Sequence, residues 1–159
     1  MSAFQTSVAT GPSLRRTVAL AVVVLAAAPV AMAAKPKARA LSATGQLVQT
    51  AKPDRFKAVQ QGTVRGTPFG AAKMVLRSTL KQATVSSTFT VTTSAGRVAG
   101  TATARLTLDG DTATYKGTAR ITSGTGRYRN ASASNITFTG VGPVSAKRTK
   151  ITLTGRVRY

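Results

Sequence analysis

From Leu41 to Tyr159 the chain alternates apolar residues with threonine, serine, lysine or arginine, and no stretch carries the 3.6-residue period of an amphipathic helix. The clearest run sets Val98, Gly100, Ala102, Ala104, Leu106 and Leu108 against Thr101, Thr103, Arg105 and Thr107. After Asp109-Gly110-Asp111 the pattern resumes with Ala113, Tyr115, Gly117, Ala119 and Ile121 against Thr112, Thr114, Lys116, Thr118 and Arg120. Asp-Gly between two alternating runs is a strong hairpin signal, because the turn needs positive φ. The same period sets Val85, Phe89 and Val91 against Thr84, Ser86, Thr88, Thr90 and Thr92, and it returns around Ile136 and Phe138 and from Ile151 to Tyr159. It predicts about eight strands, near 41–50, 56–66, 72–80, 84–94, 97–108, 112–122, 133–141 and 149–158. Short connections favour sequential antiparallel pairing. Such a sheet must hide one apolar face. Closing it into an up-and-down β-barrel does so and removes the edges as well. A sandwich is the alternative, but it needs longer crossovers than the sequence offers. Alanine and glycine in the apolar row allow a narrow barrel filled by its own side chains.

Residues 1–33 read as a cleavable signal peptide. Arg15 and Arg16 precede an apolar run from Thr17 to Pro29, and Ala31-Met32-Ala33 supplies small residues for cleavage near Ala33. An uncleaved membrane anchor is the competing reading, and Pro29 with the small-residue end weighs against it. The Arg pair lacks the context of a twin-arginine signal, and no cysteine stands where a lipoprotein needs one. The protein is therefore expected in a secreted, periplasmic or cell-envelope location. Residues 34–40, including Lys35, Lys37 and Arg39, are expected to form a basic flexible lead, and residues 41–159 the barrel domain.

The 159 residues include 23 Lys and Arg, 3 acids and no His, for a formal charge of +20. Removing Arg15 and Arg16 with the leader leaves 21 bases. Without His or Cys there is no Ser-His-Asp triad, cysteine nucleophile, disulfide or structural zinc site. The acids are Asp54, Asp109 and Asp111, and there is no Glu, so paired-carboxylate catalysis or a carboxylate-rich calcium site would rest on those three. Asp109 and Asp111 flank a hairpin glycine, where aspartate is favoured for turn reasons alone, and Asp54 follows Pro53. No catalytic residue, metal site or cofactor is predicted. An exported domain without cysteine must hold together by sheet and core alone.

The segment Ile121-Thr-Ser-Gly-Thr-Gly-Arg-Tyr-Arg-Asn-Ala131 resembles the tGGTGkYrgArG stretch of the allene oxide cyclase barrel-like superfamily, which includes the dirigent proteins and secreted bacterial relatives. Gly62-x-Val64-x-Gly66, the glycines Gly96 and Gly100, Phe138-Thr-Gly140 and the terminal strand Ile151–Tyr159 agree with it in spacing, whereas Ser123 and Ser132 stand where that family has glycine. The likeness covers most of 41–159. It implies an eight-stranded antiparallel barrel with a cavity at one mouth, a possible homotrimer, and, in enzymatic members, chemistry that uses acidic groups in the cavity. Gly124 and Gly126 suit positive φ in a tight connection, and Tyr128 can fold back over the apolar interior. Gly124-Thr-Gly126 lacks the Gly-Lys-Ser/Thr ending and the helix of a phosphate-binding loop.

Two functions compete on these residues. One is a non-enzymatic, strongly basic secreted barrel that associates with anionic surface or wall polymers or lipid head groups, with Arg127, Arg129, Lys147, Arg148, Lys150, Arg156 and Arg158 as the contacting cations. The other is a cavity that binds a small apolar molecule or supports a dirigent-like or cyclase-like activity, lined by Phe56, Phe89, Tyr115, Tyr128 and Phe138. A purely structural envelope role is a third reading. No sequence-specific nucleic-acid binding is expected, since stacking aromatics are scarce and Trp is absent. Asn130-Ala-Ser132 and Asn135-Ile-Thr137 match the glycosylation sequon, as a Ser/Thr-rich chain does by chance.

Overall fold

The structure is a computed structural model that describes residues 37–159, so the leader and its cleavage site lie outside the described residues. Eight strands follow one another: β1 (Ala38–Asp54), β2 (Lys57–Thr67), β3 (Gly70–Lys81), β4 (Thr84–Thr93), β5 (Gly96–Asp109), β6 (Thr112–Gly124), β7 (Ala133–Pro143) and β8 (Arg148–Arg158). Each pairs antiparallel with its sequence neighbour, and β8 returns to β1, so the sheet closes into a barrel. A single 3-10 turn, Gly126–Tyr128, is the only helical segment among the described residues.

The alternation explains this architecture directly. Inward positions such as Val64, Met74, Val91, Val98, Ile136 and Val157 are buried to 1% exposure or less. Their outward neighbours carry Thr, Lys and Arg. One outward row runs through paired residues Thr103, Thr118, Thr137, Thr154, Ser42 and Thr67 across five strand junctions. Cross-strand Thr pairs of this kind stabilise an antiparallel sheet modestly. The pattern is the reverse of a membrane-spanning barrel, whose outer band is apolar.

Two expectations are corrected. Ala38, Arg39 and Ala40, placed in the flexible lead, belong to β1, because β8 extends far enough to pair with them at Arg158, Val157 and Arg156. The strand also continues past residue 50 to Asp54. There the register shifts between Gln49 and Ala51 and again before Asp54, so the period of two is lost where bulges interrupt the ladder.

The barrel has two unlike ends. At one, the β6–β7 connection folds inward and buries Tyr128, whose ring meets Phe69 and Tyr159 edge-on at centroid distances of 5.7 and 5.1 Å. Gly126 adopts φ +59 in this connection, as expected of a glycine in a tight turn. Gly124 does not have positive φ. Its lack of a side chain serves a close approach instead, since a Cβ there would fall 1.9 Å from the Tyr128 carbonyl oxygen. This end is closed, and the opposite end is open.

Candidate functional site

The inward rows change character toward the open end. Where the closed end carries Leu41, Val64, Val98 and Val157, the open end carries Gln60 on β2, Ser78 on β3, Ser87 on β4, Ala113 on β6 and Thr149 on β8. These smaller or polar side chains do not fill the bore, and a cavity of about 330 Å³ remains. Its apolar wall is formed by Leu76, Val85, Leu106, Phe138 and Ile151.

Four of the neutral polar side chains in the cavity are engaged with one another in pairs. Gln60 Nε2 donates to Thr149 Oγ1 at 3.0 Å, and the Ser78 and Ser87 hydroxyls share a hydrogen bond at 2.8 Å. Tyr115 is half-buried in the wall, and loss of water around its phenol pushes its pKa above the ordinary tyrosine value. Thr149 is the one buried polar residue of the described chain. Five cations stand around the opening: Lys52, Arg55, Lys57, Lys147 and Arg148.

None of the three aspartates lines this cavity. Asp54 ends β1 at the hairpin tip, where it accepts the Phe56 N–H at 2.7 Å and pairs with Lys57 at 3.2 Å. Both contacts favour the ionised carboxylate and hold its pKa below the usual value, the backbone N–H more than the ammonium. Asp109 closes β5, and Gly110-Asp111 forms the two-residue hairpin loop with Gly110 at φ +54. Asp111 reaches across to the β7–β8 loop and accepts from Ser145 N at 3.2 Å and Ser145 Oγ at 2.6 Å. Among the described residues no group of three or more acidic, His or Cys side chains is placed to hold a metal ion.

Of the five aromatic residues expected in the cavity, Phe56, Tyr115 and Phe138 line it. Phe89 and Tyr128 do not. Phe89 lies over Gly100, its directly paired neighbour on β5, and the space a Cβ would take at Gly100 is filled by its ring. Tyr128 closes the other end. The expected anion-contact residues split into two groups. Arg127, Arg129, Arg156 and Arg158 lie at the closed end, where Arg127 and Arg39 approach the Tyr159 ring at 5.9 and 5.5 Å. Lys147, Arg148 and Lys150 lie at the open end of β8. Sequence reasoning did not single out Gln60, Ser78, Ser87 and Thr149. Their signal was present, as hydroxyl and amide residues at inward positions in one half of the barrel.

The fold and site thus define a closed, eight-stranded antiparallel barrel with one sealed end and one hollow, cation-rimmed end. Comparison of the chain with family models, with characterised proteins and with solved structures returns no match.

Proposed function

We propose that this protein is an exported, non-catalytic binding barrel that holds a small, largely apolar molecule in its open end. The observation that carries the reading is the hollow itself. A volume of about 330 Å³ lies at the low end of the range for ligand sites, and an apolar wall with a few convergent polar groups is the usual composition of such sites. The wall offers neutral hydrogen-bonding groups and no carboxylate, which supports binding over acid–base chemistry. The likeness of residues 121–131 to the allene oxide cyclase barrel-like superfamily supports the same reading, and we propose membership of that superfamily. Residues 1–33 support export.

The test is a titration with an uncharged naphthylamine dye whose emission rises in apolar surroundings. Saturable one-to-one binding is expected, and Ser87→Phe, which places a ring in the cavity, should abolish it while preserving the far-ultraviolet spectrum. Undiminished binding by that variant would refute the reading.

A second function, association with anionic surface or wall polymers, is favoured by the charge left unneutralised. Among the described residues there is a single salt bridge, Asp54–Lys57, so almost every other base faces water without an acidic partner. Retention on a polyanion should then fall steeply, by orders of magnitude, as salt rises from about 50 to 200 mM. Retention that does not change with salt excludes it.

A further inference from the structure

The large apolar side chains exposed among the described residues are Val48, Phe56, Leu108, Val141 and Val144, and all of them lie in the open half of the barrel. Phe56 and Val144 sit in the β1–β2 and β7–β8 connections and Leu108 at the mouth end of β5, with 48%, 56% and 60% of their surface exposed. Single exposed apolar residues are ordinary on a soluble protein. Three around one opening, with none at the sealed end, form a pattern that solubility does not explain.

Cations are interleaved with them. Arg55 and Lys57 flank Phe56 at the β1–β2 connection, Lys52 lies near the end of β1, and Lys147 and Arg148 follow Val144. The Arg55 guanidinium lies 4.5 Å from the centroid of the Phe56 ring, which makes one unit with an apolar body and a charged edge. Val48 and Val141 continue the pattern down the outer wall beside Arg148 and Lys150, their paired neighbours on β8. Asp54, Asp109 and Asp111 share this end, where Lys57 offsets Asp54 and the five rim cations Lys52, Arg55, Lys57, Lys147 and Arg148 outnumber the three acids.

We propose that the open rim, whose Phe56, Leu108 and Val144 also line the mouth of the cavity, docks mouth-down on an anionic lipid bilayer. The cations meet lipid phosphates, and the three apolar tips enter the boundary between head groups and acyl chains. A soluble anionic polymer would engage the cations at either end of the barrel and gain nothing from the apolar tips. Only a layer with an acyl interior rewards the apolar tips. Docked this way, the cavity opens onto the bilayer, and an apolar guest passes between the two without crossing water.

The chain has no Trp, so Phe56→Trp and Ser94→Trp give single reporters at the open and sealed ends of the full-length protein. Vesicles of phosphatidylcholine and phosphatidylglycerol with brominated acyl chains quench a tryptophan that enters the acyl boundary. The Phe56→Trp emission should shift to the blue and be quenched, while that of Ser94→Trp is unchanged. Adding Leu108→Ser and Val144→Ser to Phe56→Trp should weaken partition about tenfold, as expected for losing buried apolar area, and leave binding to soluble polyphosphate as it was. Quenching of Ser94→Trp overturns the proposal, and so does partition that ignores the serine changes. Equal binding to vesicles of phosphatidylcholine alone overturns its anionic part. Binding to polyphosphate without binding to vesicles makes the partner a polymer instead.

Discussion

Tyr128→Ala removes the side chain that seals the barrel. The ring is 3% exposed, belongs to the continuous core and contacts both Phe69 and Tyr159 edge-on. Truncating a large buried aromatic residue to alanine costs about 3–5 kcal/mol, as lost transfer energy plus the cavity left behind. The two edge-on pairs, each worth about 0.5–1.5 kcal/mol beyond burial, favour the upper half of that range. Against a domain stability of about 5–15 kcal/mol, this is roughly a quarter or more of the total. In equilibrium urea unfolding followed by circular dichroism, a slope of about 2 kcal/mol per molar turns a loss of 4 kcal/mol into a midpoint lowered by about 2 M. Tyr128→Phe keeps both ring contacts and should stay within about 1 kcal/mol of the parent. A midpoint shift under about 0.5 M for Tyr128→Ala, at unchanged slope, would mean that the sealed end contributes little to stability and that the argument from its burial is wrong.

Gly124→Ala should cost about 1–3 kcal/mol, because its Cβ would meet the Tyr128 carbonyl oxygen at 1.9 Å and push the seal outward. Since the two changes share one contact, the double variant with Tyr128→Ala should lose less than the sum in the same urea assay. Tyr115 has its pKa raised above the ordinary 10.0 by burial, so its contribution to stability is intact below that value and is lost as pH climbs through the raised folded value. Titration at the phenolate absorbance should show a late-ionising component that disappears in Tyr115→Phe. Asp54 has its pKa lowered, chiefly by the Phe56 N–H and then by Lys57, so its contribution is present above the ordinary 3.8 and is lost as pH falls through the lowered folded value. In a carboxyl-resolved NMR titration, Lys57→Gln should move the Asp54 midpoint only part of the way back.

The alternation in the sequence carried the strand count, the pairing order and the closure, because a period of two assigns a face to every residue and an eight-strand apolar face has few ways to hide. It failed where the ladder itself is irregular. Past Gln49 the two register shifts break the period, and the first residues of β1 look like a polar tail until β8 is known to reach them. The hairpin roles of Asp109 and Gly110 follow from local turn chemistry and were legible. The inward side of Tyr128 was legible too, but not the end of the barrel it would seal. Phe89 was placed in the cavity because aromatic residues on the inward row look alike in sequence, and the residue opposite does not separate them, since Phe89 pairs with Gly100, Tyr115 with Gly140 and Phe138 with Gly117. What separates them is ring direction: the Phe89 ring fills the space over its glycine, while the Tyr115 and Phe138 rings line the hollow.

The division of labour between the two ends explains how a barrel this small can keep a hollow. A bore empty over part of its length forgoes dispersion and burial that a filled one would gain. Here the large inward residues and the aromatic seal concentrate at the other end. The open end holds its shape with polar links at the tips of its connections instead: Asp54 caps the β1–β2 hairpin, and Asp111 ties the β5–β6 loop to Ser145 of the β7–β8 loop. All three acids lie on this rim, where Asp54 and Asp111 fix the connections that carry Phe56 and Val144. Asp111→Ala should therefore loosen the mouth without unfolding the barrel. Amide hydrogen exchange should quicken at Ser145, whose N–H bonds to the Asp111 carboxylate, and less at Val144, whose N–H bonds to the residue 111 backbone carbonyl that the variant keeps, while the core amides of β8 stay protected. Uniform acceleration across all eight strands would show that the rim and the sealed end form one cooperative unit, and the separation of roles argued from their residues would fail.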